Sequence, residues 1–343
     1  MRIGKISEAV LNRSVLKEIR PCKSGLITGP AVGEDASVLR MGENVVVSSA
    51  VSPDIGADPE IRTILAIHAA VNNVAASGAL CHAIVVNLVL AEGTEEGVLK
   101  TIVREAEKTA ESLRLNIAGG HTTVSRSVSR EVIAVTGVGS ADKIRENSEG
   151  KSCHDSREIR KDKPFRCMDI VMTKSAAIAA SMLLASEYER TLSQRFTGEI
   201  IGAAKNFRNS LSVLPEAKIA WADRETIRMH DVSEGGVFGA LWELAEAESA
   251  GLEVDLREIP IRQETVEICE FFDRNPYQIY SEGSLLILSG NGEALADKLE
   301  SAGIPAKVIG RTTPGRDRIL HNCGEIRYLD KPQQDELYKM NPI

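Results

Sequence analysis

Four short stretches carry the residue types that can do chemistry. In Gly29-Pro-Ala-Val-Gly-Glu-Asp-Ala-Ser37 two glycines permit a sharp turn, and Glu34 and Asp35 offer carboxylates to a magnesium ion or a ligand hydroxyl. Asn72-Asn73 stands in an otherwise apolar helical stretch that stops near Gly78, where a buried amide needs a partner in the protein or in a ligand. Ala118-Gly-Gly-His-Thr-Thr123 reads as a turn after a buried segment, its paired glycines letting backbone N–H groups approach an anion. His230-Asp-Val-Ser-Glu-Gly-Gly236 runs straight into a helix. Its acids and Ser233 suit a helix cap, and the free N–H groups of the same helix start suit a phosphate.

The elements that must position these stretches follow from periodicity. Strands are expected at 44–49, 83–90 and 131–139, each a β-branched run bounded by Gly or polar residues. Between them, apolar residues at helical spacing predict helices over 61–76 and 95–113, so the first half reads β-α-β-α-β. The second half has strands at 169–174, 284–289 and 306–310 and helices at 175–186, 197–210, 236–248 and 293–302. The stretch from 140 to 167 is charged, Ser-rich and nearly free of aliphatic residues, the composition of a mobile surface connection. The expected division is therefore a domain at 1–140, a polar connection at 141–167, a second domain at 168–320 and a tail at 321–343.

Composition narrows the function classes. At 343 residues with 43% hydrophobic and 26% charged residues, the chain has the length and apolar content for two globular cores. A net charge of −8 and no basic block beside aromatic residues argue against nucleic acid. No apolar run approaches the roughly 20 residues that span a bilayer, and the first twenty residues do not read as a signal peptide, so a cytoplasmic protein is expected. Six scattered cysteines form no CxxC pair and read as reduced thiols. There is no Walker A motif and no G-x-G-x-x-G after a strand, so a bound nucleotide needs another fold.

Taken in order, the stretches resemble the aminoimidazole ribonucleotide (AIR) synthetase superfamily, and within it the HypE-like AIR synthase related proteins of hydrogenase maturation. Gly33-Glu-Asp-Ala-Ser-Val38 is similar to a family G-[DE]-D-A-A-V, Val71 to Ala79 to an N-D-[IL]-A-x-x-G-A helix end, and Gly119-Gly-His-Thr122 to G-G-[DH]-T. His230 to Val237 is similar to D-[VI]-[ST]-x-G-G, Ile259-Pro260 to a strand-end I-P, and Ser281-Glu-Gly-Ser284 to a [SE]-x-G turn. The resemblance implies a two-domain α/β (α+β) fold whose N-terminal domain pairs with its twin into a β-barrel, with a C-terminal α/β domain closing over it. It implies ATP in the cleft, with Asp35 and Asp231 nearest the catalytic chemistry and Asp35 and Asp54 as magnesium ligands. Gly33, Glu34, Asn73, Gly119, Gly120, His121, Thr122, Glu234, Gly235 and Gly236 would line the nucleotide site.

Two departures bear on activity. The strand that ends [ST]-T-D in the family reads Ser48-Ser-Ala50 here, and Asn72-Asn73 stands where the family has N-D, so two expected magnesium carboxylates are a methyl group and an amide. A HypE-type reactive cysteine is expected at the extreme C-terminus, whereas this sequence ends Lys339-Met-Asn-Pro-Ile343 and its last cysteine is Cys323. The expectation is a homodimer that binds ATP at a weakened Mg2+ site and activates an oxygen of a small acceptor, with a maturation protein as partner. The alternative is a non-catalytic, nucleotide-binding dimer.

Overall fold

The computed structural model describes residues 5, 7–19, 26–41, 43–53, 58–141 and 166–340. In the first half these form α1 (Glu8–Leu11), β1 (Leu26–Thr28), β2 (Ser37–Met41), β3 (Glu43–Val51), α2 (Pro59–Ala76), β4 (Leu80–Ala91), α3 (Glu96–Ser112), β5 (Asn116–Ser125) and β6 (Val132–Ala141). The six strands make one sheet in the order β1-β2-β3-β6-β4-β5, antiparallel except for the β4–β5 pair. One face is covered by α2 and α3 over a core that includes Val46, Ile84, Leu88, Ile133 and Val135. On the other face Val51 and Leu80 are exposed, so the inward-outward alternation of β6 reflects a sheet covered on one side. Neither sheet closes into a barrel among the described residues.

The second half contributes β7 (Asp169–Thr173), α4 (Ile178–Glu187), α5 (Glu189–Leu192), α6 (Gly198–Lys205), α7 (Leu214–Ala222), β8 (Thr226–Val232), α8 (Gly236–Glu248), β9 (Gly251–Asp255), α9 (Gln263–Phe271), β10 (Ser284–Ser289), α10 (Gly292–Ser301), β11 (Ala306–Thr313), β12 (Arg318–Asn322) and β13 (Glu325–Tyr328). Its sheet runs β13-β12-β9-β11-β7-β10-β8. Leu286 and Leu288 face a core shared with α8, while Leu285 and Ile287 face a core shared with α7 and α10. Every residue of β10 is therefore buried, which is why its sequence is a continuous apolar run. Residues 325–328 add a strand beyond 320 and Leu337 is buried, so the stretch read as a tail is part of the C-terminal half.

Helix α2 joins the halves. Asp58 caps it by accepting from the Glu60 N–H at 2.8 Å, Pro59 opens it, and Gly78 ends it with φ +82°. It is buried nearly all round because its N-terminal-sheet side carries Ile67 and Val71 while Ala75 and Ala76 pack into the C-terminal core. Asn72, fully buried, uses the whole amide to bridge the halves. Its Nδ2 donates to Leu211 O at 2.8 Å and to Glu282 Oε1 at 2.5 Å, and its Oδ1 accepts from the Val213 N–H at 3.0 Å.

One expectation is corrected. Gly119-Gly120 is the interior of β5, paired with Val85 and Val86 of β4, and not a turn. The glycines are there because backbone approaches backbone: a Cβ on Gly120 would lie 1.8 Å from Val86 O. Besides β5, the strands β1, β2, β8, β9, β12 and β13 were not anticipated; most are short or interrupted by charged residues, so they lack a clean period-two signal. The connection expected at 141–167 lies almost wholly outside the described residues.

Asn72→Ala leaves the Val213 N–H and the Glu282 carboxyl without their buried partner. Urea unfolding should show a loss of about 2–4 kcal/mol relative to wild type. Unchanged stability would mean that α2 is not tied to residues 211–213 through this amide.

Candidate functional site

β8 is the edge strand of the C-terminal sheet, and its neighbouring residues point to opposite faces. His230 faces α8 and Asp231 faces α2, while the loop carrying Asp35 comes from the other half of the chain to meet both. Gly33 makes that approach feasible. With φ +79°, it lies so close to α8 that a Cβ would be 2.6 Å from Glu243 O.

The centre is a chain of charged hydrogen bonds. His230 Nδ1 lies 2.7 Å from Asp35 Oδ1 and 2.9 Å from Oδ2, and its Nε2 lies 3.1 Å from Glu243 Oε2. Glu243 is also held by the Lys5 ammonium. With its amide nitrogen facing the carboxylate, Asn73 Nδ2 donates to Asp231 Oδ1 at 2.9 Å and Oδ2 at 3.3 Å. Its oxygen accepts from Ser48 Oγ at 3.2 Å, and the same hydroxyl lies 2.9 Å from Asp35 O. Ligand atoms of Asp35, His230 and Asp231 all fall within 4.8 Å of one another.

Burial and charge compete here. Desolvation works against a charged His230, but Asp35 and then Glu243 outweigh it and hold the ring well above its ordinary pKa, so it is an imidazolium at neutral pH. Desolvation also raises Glu243, yet Lys5 and His230 bring it down to about 2. Asp231 is pushed up to about 7 by burial and by the negative charge of Asp35. Behind it Glu282, buried and near Asp231, is held well above the usual carboxylate range by desolvation and by that charge.

The structure brings Asp35, Asn73 and Asp231 together and places Glu34 beside them, 3.4 Å from Arg228. A cleft of about 230 Å³ opens at this point, walled by Leu11, Leu16, Pro30, Glu34, Asp35 and Ser48. Glu234 sits on the turn after β8, receives the Lys5 N–H and lies 3.4 Å from the Tyr338 hydroxyl. The Gly235 N–H donates to Asp335 Oδ2 at 2.6 Å, so Asp335 fills part of the anion cradle expected there. Gly236 has φ +62°, and a Cβ on it would meet the Tyr277 and Ile279 carbonyls at 2.7 Å. Gly119, Gly120, His121 and Thr122 are not part of this cluster within the chain: they lie exposed on β5, the far edge of the N-terminal sheet. Asp54 lies outside the described residues. Ala50 packs against the N-terminal core, two residues along β3 from Ser48.

Sequence reasoning quoted His230, Ser48 and Glu282 within motifs without giving them a role, and missed Glu243 and Asp335. Glu243 had one available signal: it lies seven residues after Gly236 and so returns near the face that begins at the helix start. Asp335 comes from a distant segment and left none.

Two family models match the chain: AIR synthase related protein, N-terminal domain, over residues 33–141, and AIR synthase related protein, C-terminal domain, over residues 169–321. The chain belongs to the AIR synthase related family. It is 24% identical over 270 residues to the carbamoyl dehydratase HypE of Rhodobacter capsulatus, covering 77% of this chain and 71% of that protein. A putative hydrogenase expression/formation protein of Methanocaldococcus jannaschii is 24% identical over 347 residues, covering 97% and 96%. Within the family the chain is HypE-like. Among solved structures it shares the fold of the hydrogenase maturation protein HypE in complex with ATP, at TM-score 0.68 and 19% identity over 98% of this chain and 97% of that one. It also shares the fold of the thiamine monophosphate kinase complexed with AMPPCP and TMP, at TM-score 0.64 and 16% identity over 87% and 89%. No helix among the described residues is long and apolar enough to cross a membrane.

These protonation states set a pH dependence. Raised pKa values at Asp231 and His230 favour the folded protein at lower pH, and that stability is lost as pH rises from the unfolded values of 3.8 and 6.5 through the folded ones. The lowered Glu243 acts oppositely, its contribution present above 4.5 and lost as pH falls towards 2. Asp231→Asn removes the loss tied to Asp231 ionisation, so the variant should gain stability over wild type by a few kcal/mol more at pH 8 than at pH 4. Urea unfolding at the two pH values measures this; an equal difference at both would contradict a buried, reluctantly ionised Asp231.

Proposed function

We propose that this protein is an ATP-dependent, HypE-like enzyme that activates an oxygen of a small acceptor, with Asp35 and Asp231 at the phosphate end of the nucleotide. The observation that carries the reading is the meeting of these carboxylates, one from each half of the chain, in a buried charged cluster at the mouth of a cleft. Its support from relatives is the carbamoyl dehydratase HypE of Rhodobacter capsulatus and the HypE structure with ATP. A carbamoyl-type acceptor, whose oxygen leaves as phosphate oxygen once phosphorylated, is the chemistry that fits those names.

The donor set fits a divalent cation. Burial first, and then the charge of the neighbouring Asp35, hold Asp231 towards its protonated form, and a dication offsets both. Asp35 and Asp231 would hold Mg2+, whose chemistry is to neutralise charge on the phosphate oxygens. His230 and Glu243 orient Asp35, Asn73 steadies Asp231, and Ser48 ties Asn73 to the Asp35 backbone. Glu282, protonated behind Asp231, is a nearby group that can exchange a proton with the site. Glu34, which lines the cleft, and Glu234, Gly235 and Gly236 of the turn after β8 are assigned to nucleotide binding. A non-catalytic role, drawn from Ala50 and Asn73, has less support, because the acidic centre persists without those two carboxylates.

The outward face of the N-terminal sheet is assigned to a homodimer. Val51 and Leu80 are 59% and 62% exposed there, apolar side chains that a second copy would cover. A second copy across it would bring Gly119 to Thr122 of one chain towards the partner. A maturation protein is the assigned hetero-partner, by analogy with the HypE–HypF complex, and the cytoplasm the assigned compartment.

Calorimetric titration with ATP and Mg2+ should give saturable binding, and Asp35→Asn should weaken it at least about 10-fold while the protein stays folded. Undetectable binding by wild type, or undiminished binding by the variant, would reject the site. Light scattering at micromolar concentration should give a dimer, and Val51→Asp should shift it towards monomer; a wild-type monomer would reject the assigned face.

A further inference from the structure

We infer that the Asp35/Asp231 centre selects a first-row transition dication over Mg2+, with His230 Nδ1 as a nitrogen ligand. This deepens the proposed function and rests on its placement of a divalent ion between the two carboxylates. Three features carry it. Ligand atoms of Asp35, His230 and Asp231 lie within 4.8 Å of one another, a spacing that bonds of about 2.0–2.2 Å can bridge with small side-chain rotations. The ring is oriented as metal-binding histidines are: Nδ1 faces the carboxylate cluster, and Nε2 faces Glu243 Oε2 at 3.1 Å. Glu243 is itself held by Lys5, so the orienting carboxylate is fixed from a second side.

A site of carboxylates, carbonyls and water suits Mg2+, whereas an imidazole nitrogen adds affinity for transition ions and little for magnesium. On the Asp231 side the neighbour is the neutral Asn73 amide and not a further carboxylate, so no extra hard anionic oxygen offsets the nitrogen donor on the α8 side. Binding is a balanced exchange: the ion takes the Nδ1 lone pair, and the proton on Nδ1 goes to solvent, while Nε2–H continues to donate to Glu243.

The test uses the full chain, stripped of metal with EDTA and titrated with Mn2+ under electron paramagnetic resonance. One Mn2+ per chain is expected, with nitrogen coupling in the spin-echo modulation of the wild-type protein, a readout that needs no variant. Mg2+ should compete at least about 10-fold more weakly. In His230→Gln the nitrogen coupling should vanish and the preference for Mn2+ over Mg2+ should collapse. In Glu243→Gln the coupling should remain while Mn2+ affinity falls by about 10-fold. Mn2+ bound without nitrogen coupling, or Mg2+ binding as tightly as Mn2+, would overturn the inference while leaving an oxygen-only cation site and the proposed function intact. Failure of both ions to bind, with and without ATP, would overturn the inference together with the assigned cation.

Discussion

The pairing of His230 with Asp35 on one side and Glu243 on the other is the interaction on which the rest of the structure turns. It places a buried imidazolium on the edge strand of the C-terminal sheet, where a carboxylate from the N-terminal half can reach it. Separating the halves would leave that charge without one of its two partners. A buried ion pair gains little over apolar packing, yet breaking one is costly, so its main effect is to fix how the halves meet. The apolar contacts of α2 supply the adhesion, and the charged centre supplies the alignment.

The same helix solves two problems with adjacent residues. Asn72 points into the junction with residues 211–213 and Glu282, and Asn73 points to Asp231 and Ser48. Any shift of α2 along its axis would break both sets. Hydrogen bonds therefore couple the fit of the domains to the geometry of the site. The turn after β8 is held from both ends of the chain, by Lys5 on Glu234 and by Asp335 on the Gly235 N–H, so chain termini far apart in sequence close around one loop.

Charge at the centre is nearly balanced within the protein. Asp35, Asp231 and Glu243 face His230 and Lys5, and the group that yields is Asp231, which burial and Asp35 together hold towards its neutral form. In the proposed function, a cation held between the two aspartates would offset both the burial and the Asp35 charge that raise Asp231.

Much of the architecture was readable from the sequence because it rests on local chemistry. The apolar runs at 44–49, 83–90, 131–139 and 284–289, the helical periodicity of 61–76 and 95–113, and the helix start at Gly236 fall on the elements observed, overrunning them by no more than one residue at an end. The motif order also identified the family, since Gly33, Asn72-Asn73 and His230 to Gly236 keep their spacing whatever the fold does with them. Gly119-Gly120 was misread because a glycine demanded by close strand pairing and a glycine demanded by a turn are the same letter. The tail at 321–343 was misjudged because β13 is four exposed residues whose only structural signal is a neighbour. What tertiary structure alone decided is which side chains meet. Nothing in the spacing of Asp35, Asn73, His230 and Glu243 says that they share one site, because an edge strand presents consecutive residues to opposite faces and only the packing of α2 and α8 on those faces determines what each one touches.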